Sequence, residues 1–274
     1  MAVTTVGTAQ TGQSTTLSSS FTVTLATGVS TGDLDVIACS VQGTGIGAAT
    51  PAGWALSATA NDNTGVRHNV FTRVRQSGDP STVSVAVTGG TSQYAWCAAA
   101  LTGVDGTTPV GTATTYGATS NGTTLTVPAL TTTGTGSYRL VTAGIGSGST
   151  TFTAMPAGTT QLAQANGGKN TVIAGATAPT PGTVAASSFT LSAATRGGST
   201  HFEVFEAAAT VNGSITAVAA TATAAAHAPT VAGQASASVI GVTATVAANA
   251  VIPCSRRYRP GRTARAGARP AGRA

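Results

Sequence analysis

Charge is the scarcest property of this sequence of 274 residues. Acidic and basic side chains together make up 7% of it, whereas about 25% is usual in a soluble globular protein. Glycine and small hydroxyl residues dominate instead, so hydroxyls and backbone groups, rather than ion pairs, must cover the surface. Such a surface suits a rigid shell or an extracellular particle.

The net charge of +6 does not describe the folded part of the chain. Seven of the 13 basic residues lie after Pro253, whereas six basic and seven acidic residues precede it and give a net charge of −1. The excess positive charge therefore belongs to a tail. We expect no specific binding of nucleic acid by the folded part.

Cysteine is also rare, with three residues and no CxxC spacing. Neither a disulfide framework nor a zinc site is indicated. Cys39 and Cys97 lie in apolar runs, where cysteine usually behaves as a small buried hydrophobe. Buried free thiols are the favoured interpretation, with a Cys39–Cys97 bridge as the alternative, and Cys254 is expected to be exposed.

The sequence has neither a secretion signal nor a strongly apolar run. Its N-terminus lacks the basic and apolar regions of a cleavable signal, so release by cell lysis is expected. The uncharged stretch 215–233 consists mostly of Ala and Thr and contains His227 and Pro229. A membrane helix needs about 20 residues rich in Leu, Ile, Val and Phe, so no membrane insertion is expected.

Alternation of apolar and polar side chains is the main pattern from residue 21 to about residue 207. It predicts half-buried antiparallel strands at FTVTL (21–25), STVSVAV (81–87), TTLTV (123–127), SFTLS (188–192) and HFEVFE (201–206). More continuously apolar runs predict central strands at DLDVIACSV (33–41), HNVFTRV (68–74), YAWCAAAL (94–101) and YRLVTAGI (138–145). With turn residues between them, these segments predict an all-β, jelly-roll-like antiparallel β-sandwich.

The tripeptide Pro-Ala-Gly at 51–53 returns at 156–158, which is 105 positions later. The flanking segments 31–54 and 135–158 share a Gly-polar opening, an apolar strand and a glycine-rich loop. We therefore expect a β-sandwich over 1–208 with two pseudo-repeats, at about 30–110 and 134–207. These copies are either two small domains or, as we favour, two halves of one sandwich, because each has few strands and few aromatic side chains.

The composition changes after residue 208. Residues 209–252 contain an Ala/Thr/Val-rich tandem repeat with a spacing of 22 residues. Residues 253–274 are predicted to be a disordered basic tail. Seven arginines of this tail are candidate anion-binding residues, namely Arg256, Arg257, Arg259, Arg262, Arg265, Arg269 and Arg273.

Three segments carry a family resemblance: the motif GDLDVIACSV…TPAGW, the motif GVDGTTPV (103–110) and the repeat AVAATATAAAHAPTV. Over roughly residues 30–251 the chain resembles the minor structural proteins of bacteriophages that infect actinobacteria, β-rich components of the tail or the capsid surface. The resemblance implies a virion location, assembly with other copies or other virion proteins, and no catalytic residues.

The sequence contains few residues that could act as catalytic groups or as metal ligands. The carboxylates at Asp33, Asp35, Asp62, Asp79, Asp105, Glu203 and Glu206 are expected to be turn formers or solvated strand residues. A Ser-His-acid triad would need His68 or His201 as its base, but no G-x-S-x-G elbow is present. GTGIGA (43–48) lacks the spacing of a nucleotide-binding loop, and NDN (61–63) offers too few ligands for calcium.

Two aromatic side chains are candidate carbohydrate-binding residues because both lie in polar surroundings, Trp54 beside a turn and Tyr116 in TTYGATS. Trp96, inside an apolar run, is expected in the core. The sequence thus predicts a non-enzymatic virion protein that needs no cofactor or metal and forms a homo-oligomer. The alternative is a carbohydrate-binding adhesin or receptor-binding domain, whose partner would be a host cell-surface glycan.

Overall fold

The computed structural model describes residues 2–43, 45–62, 65–178 and 180–208. Within these residues the chain forms 18 β-strands and no helix. The predicted all-β fold is therefore confirmed, and each of the nine predicted strands overlaps an observed one. The tandem repeat of 209–252, the basic tail with its seven candidate arginines, Cys254 and Asn63 of the NDN motif lie outside the described residues.

The first copy contributes eight strands: β1 (Thr4–Ser18), β2 (Ser20–Thr24), β3 (Leu34–Gln42), β4 (Gly47–Ala48), β5 (Ala55–Asn61), β6 (Val66–Val74), β7 (Thr82–Thr88) and β8 (Ser92–Thr102). They form a five-stranded sheet in the order β1-β8-β3-β6-β5 and a three-stranded sheet in the order β2-β7-β4. All pairings are antiparallel.

The second copy contributes ten strands: β9 (Thr114–Gly117), β10 (Gly122–Val127), β11 (Leu130–Thr132), β12 (Ser137–Ile145), β13 (Phe152–Ala154), β14 (Thr160–Ala165), β15 (Asn170–Ala178), β16 (Gly182–Val184), β17 (Ser187–Thr195) and β18 (Gly197–Val204). The large sheet has the order β14-β15-β12-β18-β9, the small one β10-β17-β13, and β11 pairs with β16. Read from β9 to β14, the large sheet repeats the strand order of the first copy. Each copy thus begins earlier in the chain than the segments aligned from sequence.

Three apolar clusters arrange these sheets in four layers. The first copy's small sheet packs on one face of its large sheet around Phe71 and Trp96. In the second copy the corresponding cluster contains Val141 and Phe189. A third cluster joins the other faces of the two large sheets and contains Leu140 and Phe202. Each copy therefore has its own core, and a shared core joins the copies.

The large-sheet strands are buried on both faces because each of these sheets lies between two others. β12 and β18 are buried along their whole lengths, and β3 along all but its last residue. In the segment at 201–206, expected to be half-buried, residues 201–204 belong to β18 and are buried, whereas Phe205 and Glu206 beyond the strand are partly exposed. Strands that are buried on both faces have nearly continuous apolar sequences. The segments 33–41 and 138–145 are of this kind.

Strands β3 and β12 begin at the same end of the described part. The N–H of Val3, which precedes β1, donates to the carbonyl of Gly136 at 3.2 Å, and the N–H of Ala207 donates to Gly103 at 2.8 Å. At the opposite end Thr171 donates to Ser40 Oγ at 2.7 Å. We call the end where β3 and β12 begin the first end, and the end where they finish the second end.

Candidate functional site

Both Pro-Ala-Gly segments form the same turn at the first end. The N–H of Trp54 donates to the carbonyl of Pro51 at 3.1 Å, and the N–H of Thr159 donates to that of Pro156 at 3.0 Å. The third turn residue has a positive φ in both copies, 78° at Gly53 and 71° at Gly158. A positive φ at this position is what a type II turn requires, and glycine adopts it without steric cost.

An arginine lies beside each turn, but it comes from a different strand in each copy. In the second copy Arg139 of β12 donates to the carbonyls of Ala157 at 3.3 Å and Gly158 at 2.9 Å. In the first copy Arg73 of β6 forms an ion pair with Asp79 instead. The first turn's arginine is therefore engaged by a side chain, whereas the second turn's arginine is engaged by the turn itself.

A cavity of about 450 Å³ adjoins the first turn and is our candidate binding site. Its lining combines an aromatic ring, a guanidinium and an amide, and consists of Gly53, Trp54, Ala55, Thr72, Arg73, Val74, Gln76 and Pro109. A smaller cavity of about 90 Å³ shares Trp54 and Arg73 with it. A few convergent polar groups at a partly apolar concavity are typical of small-molecule sites.

Trp54 contributes less surface to this cavity than its sequence position suggests. The side chain is 9% exposed and belongs to the apolar cluster between the two sheets of the first copy. Trp54 therefore belongs to the core of the first copy and also lines the cavity, so it stays a predicted ligand contact.

Tyr116 lies elsewhere, on the short edge strand β9 of the second copy. It pairs with Ser199 in the ladder and packs, partly buried, against the core cluster of the second copy. Trp54 packs in the corresponding cluster of the first copy. The structure therefore does not bring the two candidate carbohydrate-binding residues into one site.

A bidentate ion pair joins β3 to the segment after β6 close to this cavity. The Nε and Nη2 groups of Arg75 donate to the two carboxylate oxygens of Asp35, each at 2.8 Å, and Asp35 is 1% exposed. Burial raises the pKa of Asp35, while the guanidinium of Arg75 acts in the opposite direction. A carboxylate this buried depends on its partner, since an unpaired buried charge is strongly destabilising.

Other carboxylates hold backbone N–H groups of turns. Asp33 accepts from Ser30, Asp62 from Val66, and Glu203 from Thr133 and Gly134, all within 2.9 Å. Asp105 accepts from Thr108 and Thr107, and these bonds lower its pKa. The turn-forming role expected of these residues agrees with the geometry, but Asp33, Asp35, Asp62 and Glu203 are buried rather than solvated.

The candidate base His68 lies inside the shared core rather than at a surface. Its Nδ1 is 3.0 Å from Ser40 Oγ, and its Nε2 is 2.7 Å from Thr142 Oγ1. All three side chains are fully buried, and burial lowers the pKa of His68 to about 3. A serine-histidine pair with threonine in place of the acid, and without access for substrate, does not have the geometry of a triad.

The second candidate base, His201, is also buried. Its Nδ1 is 2.9 Å from the carbonyl of Pro128, and burial lowers its pKa. His68 therefore links β6 to β3 and β12, and His201 links β18 to the segment between β10 and β11. One signal in the sequence pointed to this buried network: a histidine within an otherwise apolar run, as in HNVFTRV.

Cys39 and Cys97 are free and buried. They lie on neighbouring strands, but Cys97 pairs with Ala38, and Cys39 pairs with Trp96. Adjacent register positions point to opposite faces of a sheet, so Cys39 enters the first copy's core and Cys97 the shared core. The geometry excludes the bridge and supports buried free thiols, and burial raises the pKa of Cys39 to about 12.

Two further features concern metals and membranes. In the part of the chain that the structure describes, no three His, Cys, Asp or Glu side chains are grouped so that they could hold a metal ion. Over those same residues, no helix has the length and apolar character needed to cross a membrane.

Comparison of the chain with protein-family models, with curated proteins and with solved structures finds no match.

Proposed function

We propose that this chain is a non-enzymatic structural component of a bacteriophage virion, a minor tail protein or a capsid decoration protein, that acts through contacts with other subunits. The resemblance of segments 32–54, 103–110 and 217–231 to minor virion proteins of actinobacterial phages supports the virion role. The observation that carries the role in assembly is β1, a long edge strand without a charged residue.

β1 is a 15-residue strand at the edge of the first large sheet. Its ladder partner is β8, with register shifts between Val6 and Gln10 and between Ser14 and Ser18. In addition, Thr8 forms an isolated bridge with Thr27, and the side-chain oxygen of Gln13 accepts from the N–H of Gly168. The strand contains neither a charged residue nor a proline. Monomeric proteins usually protect edge strands with lysine, proline or short length, because an open edge can pair with a strand of another chain.

The direct test is peptide mass spectrometry of phage particles purified from a culture that produces the chain. We expect peptides of residues 2–208 in a fixed ratio to the major virion proteins. Their absence from particles, while the chain is present in the lysate, would contradict the virion role.

The role of β1 is tested by placing lysines on its exposed side chains, as in the double variant Thr11→Lys, Thr15→Lys. We expect its incorporation into particles to fall about 10-fold or more, because lysine at an edge opposes strand pairing. The matched control is Thr190→Lys, an exposed position on β17, the central strand of a small sheet. Equal incorporation of both variants would mean that β1 is not the contact.

The cavity beside Trp54 favours glycan binding as a second candidate function, which would make the chain an adhesin or receptor-binding domain. Its guanidinium and amide groups are suited to sugar hydroxyls, and Trp54 adds an aromatic side chain to the lining. In a glycan screen we expect binding that Gln76→Ala weakens and that Tyr116→Phe, outside the cavity, leaves unchanged. Failure of the wild-type chain to bind any glycan would refute this function.

A further inference from the structure

The shared core changes in polarity along the strands. Near the first end it is apolar, with Leu34, Val36, Leu140, Phe202 and Val204. Towards the second end the side chains that face the same core are polar and fully buried, namely Ser40, His68, Thr142, Thr171 and Thr200. The two copies are therefore joined by an apolar contact at one end and by a polar network at the other.

His68 lies at the centre of this network and connects the two copies. Its ring is bonded to Ser40 of the first copy and to Thr142 of the second. Thr142 Oγ1 lies 2.8 Å from Thr200 Oγ1, and the hydroxyl of Thr171 donates to Ser40 Oγ at 2.7 Å. All of these neighbours are neutral hydroxyl groups, so the network satisfies the hydrogen bonds of an uncharged ring.

The strands packed around His68 bring no charged side chain into the shared core within the described part of the chain. The other titratable groups that face this core are Cys97 and Tyr138, and burial raises the pKa of both. Successive side chains of a strand point to opposite faces, which turns the remaining titratable groups of these strands away from the core: Asp35, Cys39, Arg67, Arg73, Tyr94, Arg139, His201 and Glu203. Asp62 and Lys169 lie beyond the strand ends, where backbone and amide groups bind them.

A proton on His68 would therefore place an isolated cation inside the protein. Hydroxyl oxygens can accept from both ring nitrogens, but they do not neutralise the charge, and an unpaired buried charge is strongly destabilising. The packing around the ring is close, since a Cβ added at Gly144 would lie 1.8 Å from Ser40 Oγ and 2.7 Å from His68 Nδ1. Acid therefore favours any arrangement that lets this ring meet water.

The two ends join the copies in different ways. At the first end the chain itself runs from β8 to β9 through residues 103–113, and the carbonyl of Glu203 in β18 accepts from the N–H of Gly111 at 2.9 Å. At the second end the bonds that cross between the copies involve side chains, such as those of His68 and Thr171. The covalent connection makes the first end a hinge about which the second end can open.

We propose that the shared core is an acid-sensitive joint, in which protonation of His68 opens the polar network between the copies at the second end. The first end acts as the hinge, and the cores around Phe71 and Phe189 keep each copy folded. Opening brings the charged ring into water and leaves the apolar contact near the first end in place. This inference goes beyond the proposed structural role and does not depend on it.

The two buried cysteines distinguish opening of the shared core from unfolding. Cys97 faces the shared core, and its Sγ donates to the carbonyl of Thr171 at 3.2 Å, so a reagent can reach it once the network opens. Cys39 lies in the core of the first copy and stays covered as long as that core is intact. Trypsin places Cys39 and Cys97 in different peptides, 1–67 and 76–139.

The test is labelling of the thiols of the full chain with methyl methanethiosulfonate at about pH 7.5 and about pH 5, followed by peptide mass spectrometry. Each rate is divided by that of the urea-unfolded chain at the same pH, which removes the pH dependence of the thiol itself. We expect Cys97 to react about 30-fold faster at the lower pH, because each pH unit below the ordinary histidine pKa of about 6.5 raises the population of the open form about 10-fold. Cys39 is expected to react slowly at both pH values.

Two variants assign the response to one residue. His68→Gln should remove it, because glutamine can bond to the same hydroxyl groups but does not titrate. The matched control is His201→Gln, which replaces a buried histidine on the opposite face of β18 and should keep the full response.

Equal reactivity of Cys97 at both pH values would overturn the proposal. So would equal acceleration of Cys39 and Cys97 in acid, because the first copy would then unfold rather than part from the second. Acceleration that persists in His68→Gln would assign the effect to another group and would overturn it as well. If this variant does not fold, the comparison of the two thiols in the wild type still decides. None of these outcomes depends on whether particles contain the chain, so failure of the joint and failure of the virion role are distinguishable.

Discussion

The neutral imidazole of His68 makes the stability of the sandwich depend on pH in a defined direction. The buried ring is bonded to Ser40 and Thr142, and its pKa is lowered to about 3 from 6.5. Between these values the unfolded chain binds a proton that the folded chain does not. The free energy of unfolding contributed by this residue is therefore fully present above pH 6.5 and is lost as the pH falls towards 3.

The magnitude follows from the difference between the two pKa values. Each pH unit in this window corresponds to about 1.4 kcal/mol, so the loss reaches about 5 kcal/mol when the whole window has been crossed. At pH 5 the expected loss is about 2 kcal/mol. This is a large share of the total stability of a typical protein, which is about 5–15 kcal/mol.

The assay is urea unfolding of the wild type and His68→Gln at several pH values between 7 and about 4. Glutamine can donate and accept hydrogen bonds at this place but does not titrate, so the slope of stability against pH should fall by about 1.4 kcal/mol per unit. Slopes are compared rather than absolute stabilities, because the substitution also alters packing. Carboxylates contribute equally to the pH dependence of stability in both proteins. A His201→Gln variant controls for His201, the other histidine in the described part of the chain. Identical slopes for the wild type and His68→Gln would refute the reasoning.

Three further outcomes are expected. Gly117→Ala should lower the free energy of unfolding by about 2 kcal/mol or more, because an added Cβ would lie 1.8 Å from the carbonyl oxygen of Asn61; Gly106→Ala, with open space around it, should change it by less than about 0.5 kcal/mol. Arg75→Gln should cost about 3 kcal/mol in urea unfolding, because it leaves a buried carboxylate without its partner; an effect close to zero would mean that water replaces the arginine. In a Cys254→Ser background, Ellman's reagent should detect no thiol in the folded protein and two in urea, because both remaining cysteines are buried; rapid labelling without urea would contradict this.

The large apolar strands were predictable because burial on both faces leaves a direct trace in the sequence. Nearly unbroken apolar runs at 33–41 and 138–145 became β3 and β12, and the repeated Pro-Ala-Gly revealed the duplication. The strand β1 was not predictable in this way. Its sequence, TTVGTAQTGQSTTLS, has few apolar residues and no regular alternation, and it becomes a strand through its pairing with β8.

The candidate site was predictable only in part. Trp54 was identified from its position beside a turn, but the direction of its ring depends on how the turn meets the core. Arg73 and Gln76 are distant from Trp54 in the sequence, and they reach the same cavity because β5 and β6 are neighbours in the sheet. The cavity is thus a product of strand pairing, which local patterns do not specify.

The four-layered arrangement also explains why the sequence contains so little charge and where that charge lies. Each large sheet is covered on both faces, so a charged side chain on its strands can reach solvent or a partner only near a strand end. Asp35 and Arg139 illustrate this, since they lie at equivalent positions of the two copies, one residue into β3 and two residues into β12, and carry opposite charges. The duplicated scaffold determines where a charge is tolerated, and the divergence of the copies determines its sign. A molecule built in this way keeps its ion pairs and its carboxylate-bound turns near the strand ends and leaves hydroxyl-rich faces between them.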